Sequence, residues 1–133
     1  MSYAAEIGRI GEKMVADFLR SKGYIILRCN YKGRFGEIDI IAESPDIIVF
    51  VEVKTRAEGA LVAPADAVDA AKQVKIIKTA YDFLAKLPYE VAYRFDVAEV
   101  TYRQSEDKPL RFSLNYIKNA FSSEALGGFL QKL

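Results

Sequence analysis

The run GEIDIIAESPDIIVFVEVK, residues 36–54, constrains the fold more than any other stretch of the chain. Two segments rich in Ile and Val are separated by Ser44-Pro45-Asp46, and Ser followed by Pro suits the first two places of a type I turn. A hairpin centred there sets Asp39 opposite Glu52 and Glu37 opposite Lys54. Because strand side chains alternate, Ile38, Ile40, Ala42, Val49, Val51 and Val53 share one face, while Glu37, Asp39, Ile41, Phe50, Glu52 and Lys54 share the other. One face is wholly apolar; the other is apolar near the turn and charged at its open end. A one-residue slip would mix the two sets, so the apolar pattern itself specifies the register.

Directly opposed residues bring their Cβ atoms to about 4.5–5.5 Å, where like charges destabilise a sheet. Asp39 against Glu52 therefore needs a compensating cation. A hard divalent ion such as Mg²⁺, held by one or two carboxylates together with water and substrate phosphate, is one answer. Lys54, two residues beyond Glu52 on the same face, is the other. On the hairpin alone, a solvated strand-end cluster with Lys54 pairing Glu37 and Glu52 competes evenly with a metal site.

Around this hairpin the pattern reads as an amphipathic helix over residues 3–22, with Ile7, Gly11, Met14, Val15, Phe18 and Leu19 on one side and Gly23 as its stop. A short strand follows at 24–28, then NYKGRFG as a turn region, strands over 36–43 and 47–54, and an exposed loop over 55–64. A second helix is expected over 64–87, ended by Pro88. The next strand, 89–102, sets Val91, Tyr93, Phe95 and Val97 against Ala92, Arg94, Asp96 and Ala98, a strand with one apolar face. RQSEDKP is a hairpin-like loop leading to a last strand with Leu110, Phe112, Leu114 and Tyr116 at alternate positions. The order of one helix, three strands, one helix and two strands predicts an α/β fold, a mixed β-sheet flanked by helices. At 133 residues the chain suits one domain, residues 1–121, followed by a weakly specified C-terminal tail, residues 122–133.

Composition narrows the chemistry. The chain has no histidine, which removes the usual base of Ser and Cys hydrolases and imidazole metal ligands. An enzyme built from it works with carboxylates, lysine, tyrosine or an oxygen-bound metal. The net charge of +1 offers no global attraction to polyanions, so a nucleic-acid role rests on a local patch. One is present: Arg20, Lys22, Arg28, Lys32 and Arg34 lie between Asp17 and Glu37 with no acid among them. The lone Cys29 excludes an internal disulfide, fits a reducing cytoplasm, and reads as a small packed residue. No apolar run approaches the ~18 residues of a membrane span, and Glu6, Arg9, Glu12 and Lys13 interrupt any secretory signal.

Two polar residues fall on apolar arcs. At ~100° per residue, Glu12 projects between Leu19, Gly8 and Ala16, away from Glu6, Arg9, Lys13, Asp17 and Arg20. A carboxylate there costs several kcal/mol unless it has a partner or a ligand. Gln73 projects likewise among Ala70, Ile77, Ala80, Tyr81 and Leu84, with Lys72, Lys75, Lys78, Asp82 and Lys86 outside the arc. Either one alone is more often a satisfied structural group. Beside a hairpin with an acid pair, the two form a constellation.

The combination of GEKMVADFLRSKGYIILRCNY, GEIDIIA, VFVEVKTR, KQVKIIKTA, RFDV and a closing NAF resembles the YraN family of nuclease-like proteins over residues 7–121. That family is similar in turn to the PD-(D/E)xK nuclease superfamily, which includes archaeal Holliday-junction resolvases and restriction endonucleases. The resemblance implies a restriction-endonuclease-like α-β-β-β-α-β core. It makes Asp39 and Glu52 the ligands of Mg²⁺ or Mn²⁺, Lys54 the catalytic lysine, Glu12 the helix carboxylate near the metal and Gln73 the polar residue of the second helix. Ile38 stands where the superfamily signature has Pro. The expected function is metal-dependent endonucleolytic hydrolysis of phosphodiester bonds, in DNA first and in branched or structured DNA among its forms. The alternative is a catalytically silent module on the same fold that binds nucleic acid or a repair partner. Arg34, Arg56 and Lys72, with Arg28 and Lys32, are the candidates for phosphate contact, each against an equally weighted role as solvated surface. Analogy with the resolvases admits a homodimer.

Overall fold

The computed structural model describes residues 2–60, 68–105 and 108–123. Ser2 caps the first helix, α1 (Tyr3–Ser21), its hydroxyl accepting from the Ala5 N–H at 3.1 Å. Ile7, Gly11, Val15, Ala16 and Leu19 recur at helical spacing and form its buried stripe. Gly23, at φ +91°, takes the left-handed conformation that ends it.

Three strands follow: β1 (Ile25–Gly33), β2 (Gly36–Glu43) and β3 (Ile47–Ala57). Strand β1 runs through most of NYKGRFG, so the expected seven-residue turn contracts to Arg34 and Phe35 between the paired Gly33 and Gly36. Strand β3 likewise absorbs Thr55, Arg56 and Ala57 from the expected loop; residues 58–60 lie beyond the strand and residues 61–64 fall outside the described residues. The second helix, α2 (Ala70–Ala85), is capped by Asp69, whose carboxylate accepts from the Lys72 N–H at 2.8 Å. Its expected start at residue 64 also lies outside the described residues. Strands β4 (Ala92–Ser105) and β5 (Lys108–Phe121) take up most of the expected loop over 103–109. Of the tail, residues 124–133 are outside the described residues.

The five strands form one mixed sheet in the order β1-β2-β3-β4-β5. Every neighbouring pair is antiparallel except β3 and β4, which run parallel and are joined through α2. The sheet lies between the helices. On one face Val15, Ala16 and Leu19 of α1 pack on Ile40, Ala42, Val49, Val51, Ala98 and Val100; on the other, Ile76, Ile77, Ala80 and Phe83 of α2 pack on Ile38, Ile41, Ile48, Phe50 and Phe95. This is the expected α/β architecture, a mixed sheet flanked by helices. No helix among the described residues is long and apolar enough to cross a membrane.

Three expectations are corrected by this packing. Ile38 joins the α2 side instead of the face shared by Ile40 and Ala42. Strand β2 leaves β3 beyond Ile40 and follows β1 alone, so Ile38 is no longer held to the face set by pairing with β3; beside it, Asn30 of β1 sits at φ +52°, a left-handed conformation that Asn tolerates better than most residues. Strand β4 is buried on both faces from Phe95 to Ala98, since there it has neighbours on either side and a packed layer over each face, so the expected single apolar face does not hold. Asp96 on that strand is fully buried, held by Arg94 at 2.8 Å, the Tyr116 hydroxyl at 2.6 Å and the Asn119 N–H at 2.8 Å. Cys29, on the edge strand β1, is exposed and not packed.

Candidate active site

Strands β2 and β3 pair from Glu43↔Ile48 to Ile40↔Val51 in the register that the apolar pattern specifies. There the ladder stops, one residue before Asp39 and Glu52 would have met. Strand β2 continues with β1, through Ile38↔Tyr31 and Lys32↔Glu37, while β3 continues with β4 as far as Ala57↔Tyr102. The sheet forks, and Asp39 and Glu52 stand at the crotch of the fork. The ladder pair expected between Glu37 and Lys54 does not form, because the β2–β3 ladder has ended at Ile40↔Val51; Glu37 pairs with Lys32 of β1 alone.

The fork gives Asp39 its first partner. Its Oδ2 accepts from the Val53 N–H at 2.7 Å, an amide that β2 no longer pairs. Glu52, 6% exposed, is one of the three buried polar or charged side chains, with Thr79 and Asp96, among the described residues. Its Oε1 receives Lys72 Nζ at 2.7 Å and Lys54 Nζ at 3.7 Å. The N-cap at Asp69 puts Lys72 in the first turn of α2, and so over the fork.

The electrostatics follow from this crowding. Burial, then the Glu52 carboxylate beside it, and more weakly Glu12, push the Asp39 carboxyl up to about 7 although the Val53 N–H opposes them. Burial and the neighbouring Lys72 ammonium lower Lys54. Burial alone would lower Lys72 too, but its contacts with Glu52 and Lys54 outweigh that and raise it.

The helix carboxylate arrives by close packing. A Cβ at Gly11 would fall inside contact distance of Thr55 Oγ1, so glycine lets α1 lie directly on β3. That approach carries Glu12 close enough to be felt at Asp39. Its Oε2 accepts from Asn30 Nδ2 at 3.3 Å. Asn30 is thus a member of the site that periodicity misses; the signal for it is an Asn inside a β-prone run, at a place where the backbone turns left-handed. Gln73 goes elsewhere, donating from Nε2 to the Val68 carbonyl at 2.8 Å, which ties the approach to α2 and gives the amide a structural partner.

Of the expected phosphate contacts, Lys72 joins the acid pair directly. Arg34 is 77% exposed at the tip of the β1–β2 ribbon, 3.6 Å from Asp82. Arg56 lies farther along β3, opposite Thr101 of β4. Arg28 is exposed on β1 and donates to the Leu27 carbonyl at 2.9 Å, while Lys32 is exposed beside the tip.

A matching family model covers residues 11–100 of this chain and describes the uncharacterised protein family UPF0102. The chain belongs to this family. Similar relatives include UPF0102 proteins of Alkaliphilus oremlandii, 43% identical over 119 residues that cover 87% of this chain and 97% of that protein, and of Clostridium tetani, 43% identical over 121 residues that cover 90% and 97%. A third, from Dictyoglomus thermophilum, is 43% identical over 117 residues, covering 87% and 97%. UPF0102 is the family of the YraN proteins, so the resemblance carried by the motifs is borne out. The UPF0102 match begins at Gly11 and takes in α1 from that residue, the fork and α2, so every residue placed at the acid pair lies inside it.

The donor set can be tested against a divalent cation on chemistry alone. Asp39 and Glu52 offer hard oxygen donors; burial, together with the repulsion between the two carboxylates, raises the Asp39 carboxyl to about 7, and an ion between them would relieve that repulsion. Among the described residues no three carboxylate or thiolate groups close into a protein-only cage. Two carboxylates with water completing the shell is the ordinary habit of Mg²⁺, so the residues fit that ion and not a structural, fully protein-ligated one.

Proposed function

We propose that this protein is a metal-dependent nuclease hydrolysing phosphodiester bonds, with Asp39 and Glu52 holding Mg²⁺ or Mn²⁺ and nucleic acid, DNA first, as substrate. The observation that carries the reading is the convergence at the fork of an acid pair, two lysines and a carboxylate from α1 in a chain without histidine. A divalent ion held there supplies charge neutralisation and an activated water for phosphoryl chemistry. Asp39, once ionised, offers Oδ1, since Oδ2 is engaged by the Val53 N–H. Lys54 lies on the same strand end as Glu52, and the lowering of its ammonium by burial and by Lys72 suits it to exchange a proton as well as to contact phosphate. Lys72 holds Glu52 in place and presents a second positive charge to an incoming phosphate. Glu12, kept in position by Asn30, offers an oxygen to an ordered water from the α1 side.

A second reading has an observation of its own. Lys72 already neutralises Glu52 at 2.7 Å, so a cation of the chain occupies part of the place an ion would fill. This favours a module that grips nucleic acid without cutting it. One experiment separates the two: a panel of duplex, single-stranded, flapped and branched DNA and RNA incubated with Mg²⁺, Mn²⁺ or EDTA, beside Glu52→Ala. The nuclease reading expects cutting that needs the metal and Glu52. Metal-independent binding with no cutting of any member supports the second reading, and cutting that survives in Glu52→Ala points to a contaminant.

A further inference from the structure

Beyond the acid pair, a cluster of cations gathers where the tip of the β1–β2 ribbon rests on α2. Gly33 and Gly36 make the contact possible: a Cβ at the first would meet Thr79 Cγ2 at 3.3 Å, and one at the second Lys75 Cβ at 3.6 Å. The tip itself is Arg34 and Phe35. Phe35 packs into neither core cluster and stays 37% exposed. Its ring instead faces cations, the Arg34 guanidinium at 4.8 Å and the Lys78 ammonium at 5.4 Å.

From this ring a line of lysines leads to the fork. Lys72, Lys75 and Lys78 stand three residues apart on α2, about 9 Å from first to last at about 1.5 Å per residue. Lys72 ends the line on Glu52. The cations along it are Lys32, Arg34, Lys72, Lys75 and Lys78; the acids are Glu37, Asp82 beside Arg34, Asp69 at the start of α2 and the pair Asp39 and Glu52 at the fork, so the positive charge is concentrated between the ribbon tip and Lys75. A part-exposed aromatic ring set among cations is a pattern by which proteins hold single strands, because an unpaired base offers a π-face that stacking in a duplex covers.

We propose that Phe35 is a stacking platform for an unpaired nucleobase and that Lys72, Lys75 and Lys78 lead the adjoining phosphates to Asp39 and Glu52. Resting on the nuclease reading of the acid pair, this narrows its substrate class to nucleic acid with at least a short single-stranded stretch. The platform positions the strand and takes no part in the chemistry.

The test is binding of the full chain, in EDTA, to a labelled single-stranded oligonucleotide and to the matching blunt duplex, followed by fluorescence anisotropy. Phe35→Ala should weaken single-strand binding roughly 5- to 150-fold, the range for one lost base stack, and change duplex binding less than about twofold. Phe35→Trp should retain the affinity. A strand carrying 2-aminopurine should be quenched by the native protein and not by Phe35→Ala, with thermal melts showing that the variant is folded. Equal losses on single strand and duplex, or no loss at all, overturn the platform. Phe35-dependent binding without any cutting in Mg²⁺ or Mn²⁺ leaves the platform standing and removes the nuclease reading. Metal-dependent cutting of single strands that is undiminished in Phe35→Ala does the reverse.

Discussion

Asp39→Asn is the substitution on which the candidate site can be judged most sharply, because its two effects run in opposite directions. The side chain keeps its size and an oxygen that can accept from the Val53 N–H, so the fork keeps its tie. What goes is the charge. A carboxyl moved from 3.8 to about 7 by burial and by Glu52 favours the protonated folded state. Its contribution to stability is full below about pH 4 and is lost as pH rises through about 7. At 1.36 kcal/mol for each tenfold change in proton affinity, the ionised residue costs about 4 kcal/mol as a ceiling. Water at the mouth of the fork and the nearby lysines reduce this, so a gain of about 1–2 kcal/mol is expected for Asp39→Asn at pH 8 in metal-free buffer, shrinking toward zero at pH 4.5. Urea unfolding at the two pH values reads the difference directly. On a metal-activated nuclease the same variant should lose cutting and the rise in melting temperature that Mg²⁺ gives the native protein, since a ligand stabilises only a state that binds it. A loss of stability at pH 8 would refute the account, for it would mean that the Asp39 charge holds the fork together.

Several other perturbations test separate parts of the structure. The affinity of the native protein for Mg²⁺ by titration calorimetry should fall about tenfold for each pH unit below 7, because the Asp39 carboxyl must lose its proton to bind. Lys72→Met removes the shorter of the two ion pairs of Glu52, leaving Lys54 at 3.7 Å, and should tighten Mg²⁺ binding while weakening nucleic-acid binding; the same calorimetry and an anisotropy titration check the two halves. Asp96→Ala leaves the part-buried Arg94 guanidinium without its carboxylate, and the Tyr116 hydroxyl and Asn119 N–H without their acceptor, and should cost about 3–5 kcal/mol in urea unfolding, with Mg²⁺ affinity unchanged at the temperature where the variant is folded. Gly11→Ala forces α1 off Thr55 and should cost about 1–3 kcal/mol, with a reduced influence of Glu12 on Asp39 visible in the carboxyl's NMR titration.

Where one physical pattern governed a segment, it was readable in the sequence. The register of β2 on β3 followed from alternation, because a slip would have exposed Ile40, Ala42, Val49 and Val51 together. The placing of Glu12 followed from its arc on α1, and the order of elements from the spacing of helical and alternating runs. What could not be read lay where a second element overrode the local pattern. Strand β2 parted from β3 beyond Ile40, which ended the ladder before Asp39 and left Ile38 on the other face. Gln73 occupied an inward arc but met a backbone carbonyl, a partner that no side-chain periodicity shows. Arg94 and Asp96 alternated as a polar face should; only the packing of α1 and Tyr116 on that face turned it into a covered ion pair.

The fork also separates its two carboxylates mechanically. Asp39 rides on the ribbon formed with β1, and Glu52 on the ribbon formed with β4, hinged where Ile40 meets Val51. A small change of angle between the ribbons therefore alters the gap between the two oxygen donors without breaking a rung of either ladder, as the jaws of calipers open without bending. The tie from the Val53 N–H to Asp39 spans that gap. The same carboxylate that would grip an ion thus gauges the width of the opening.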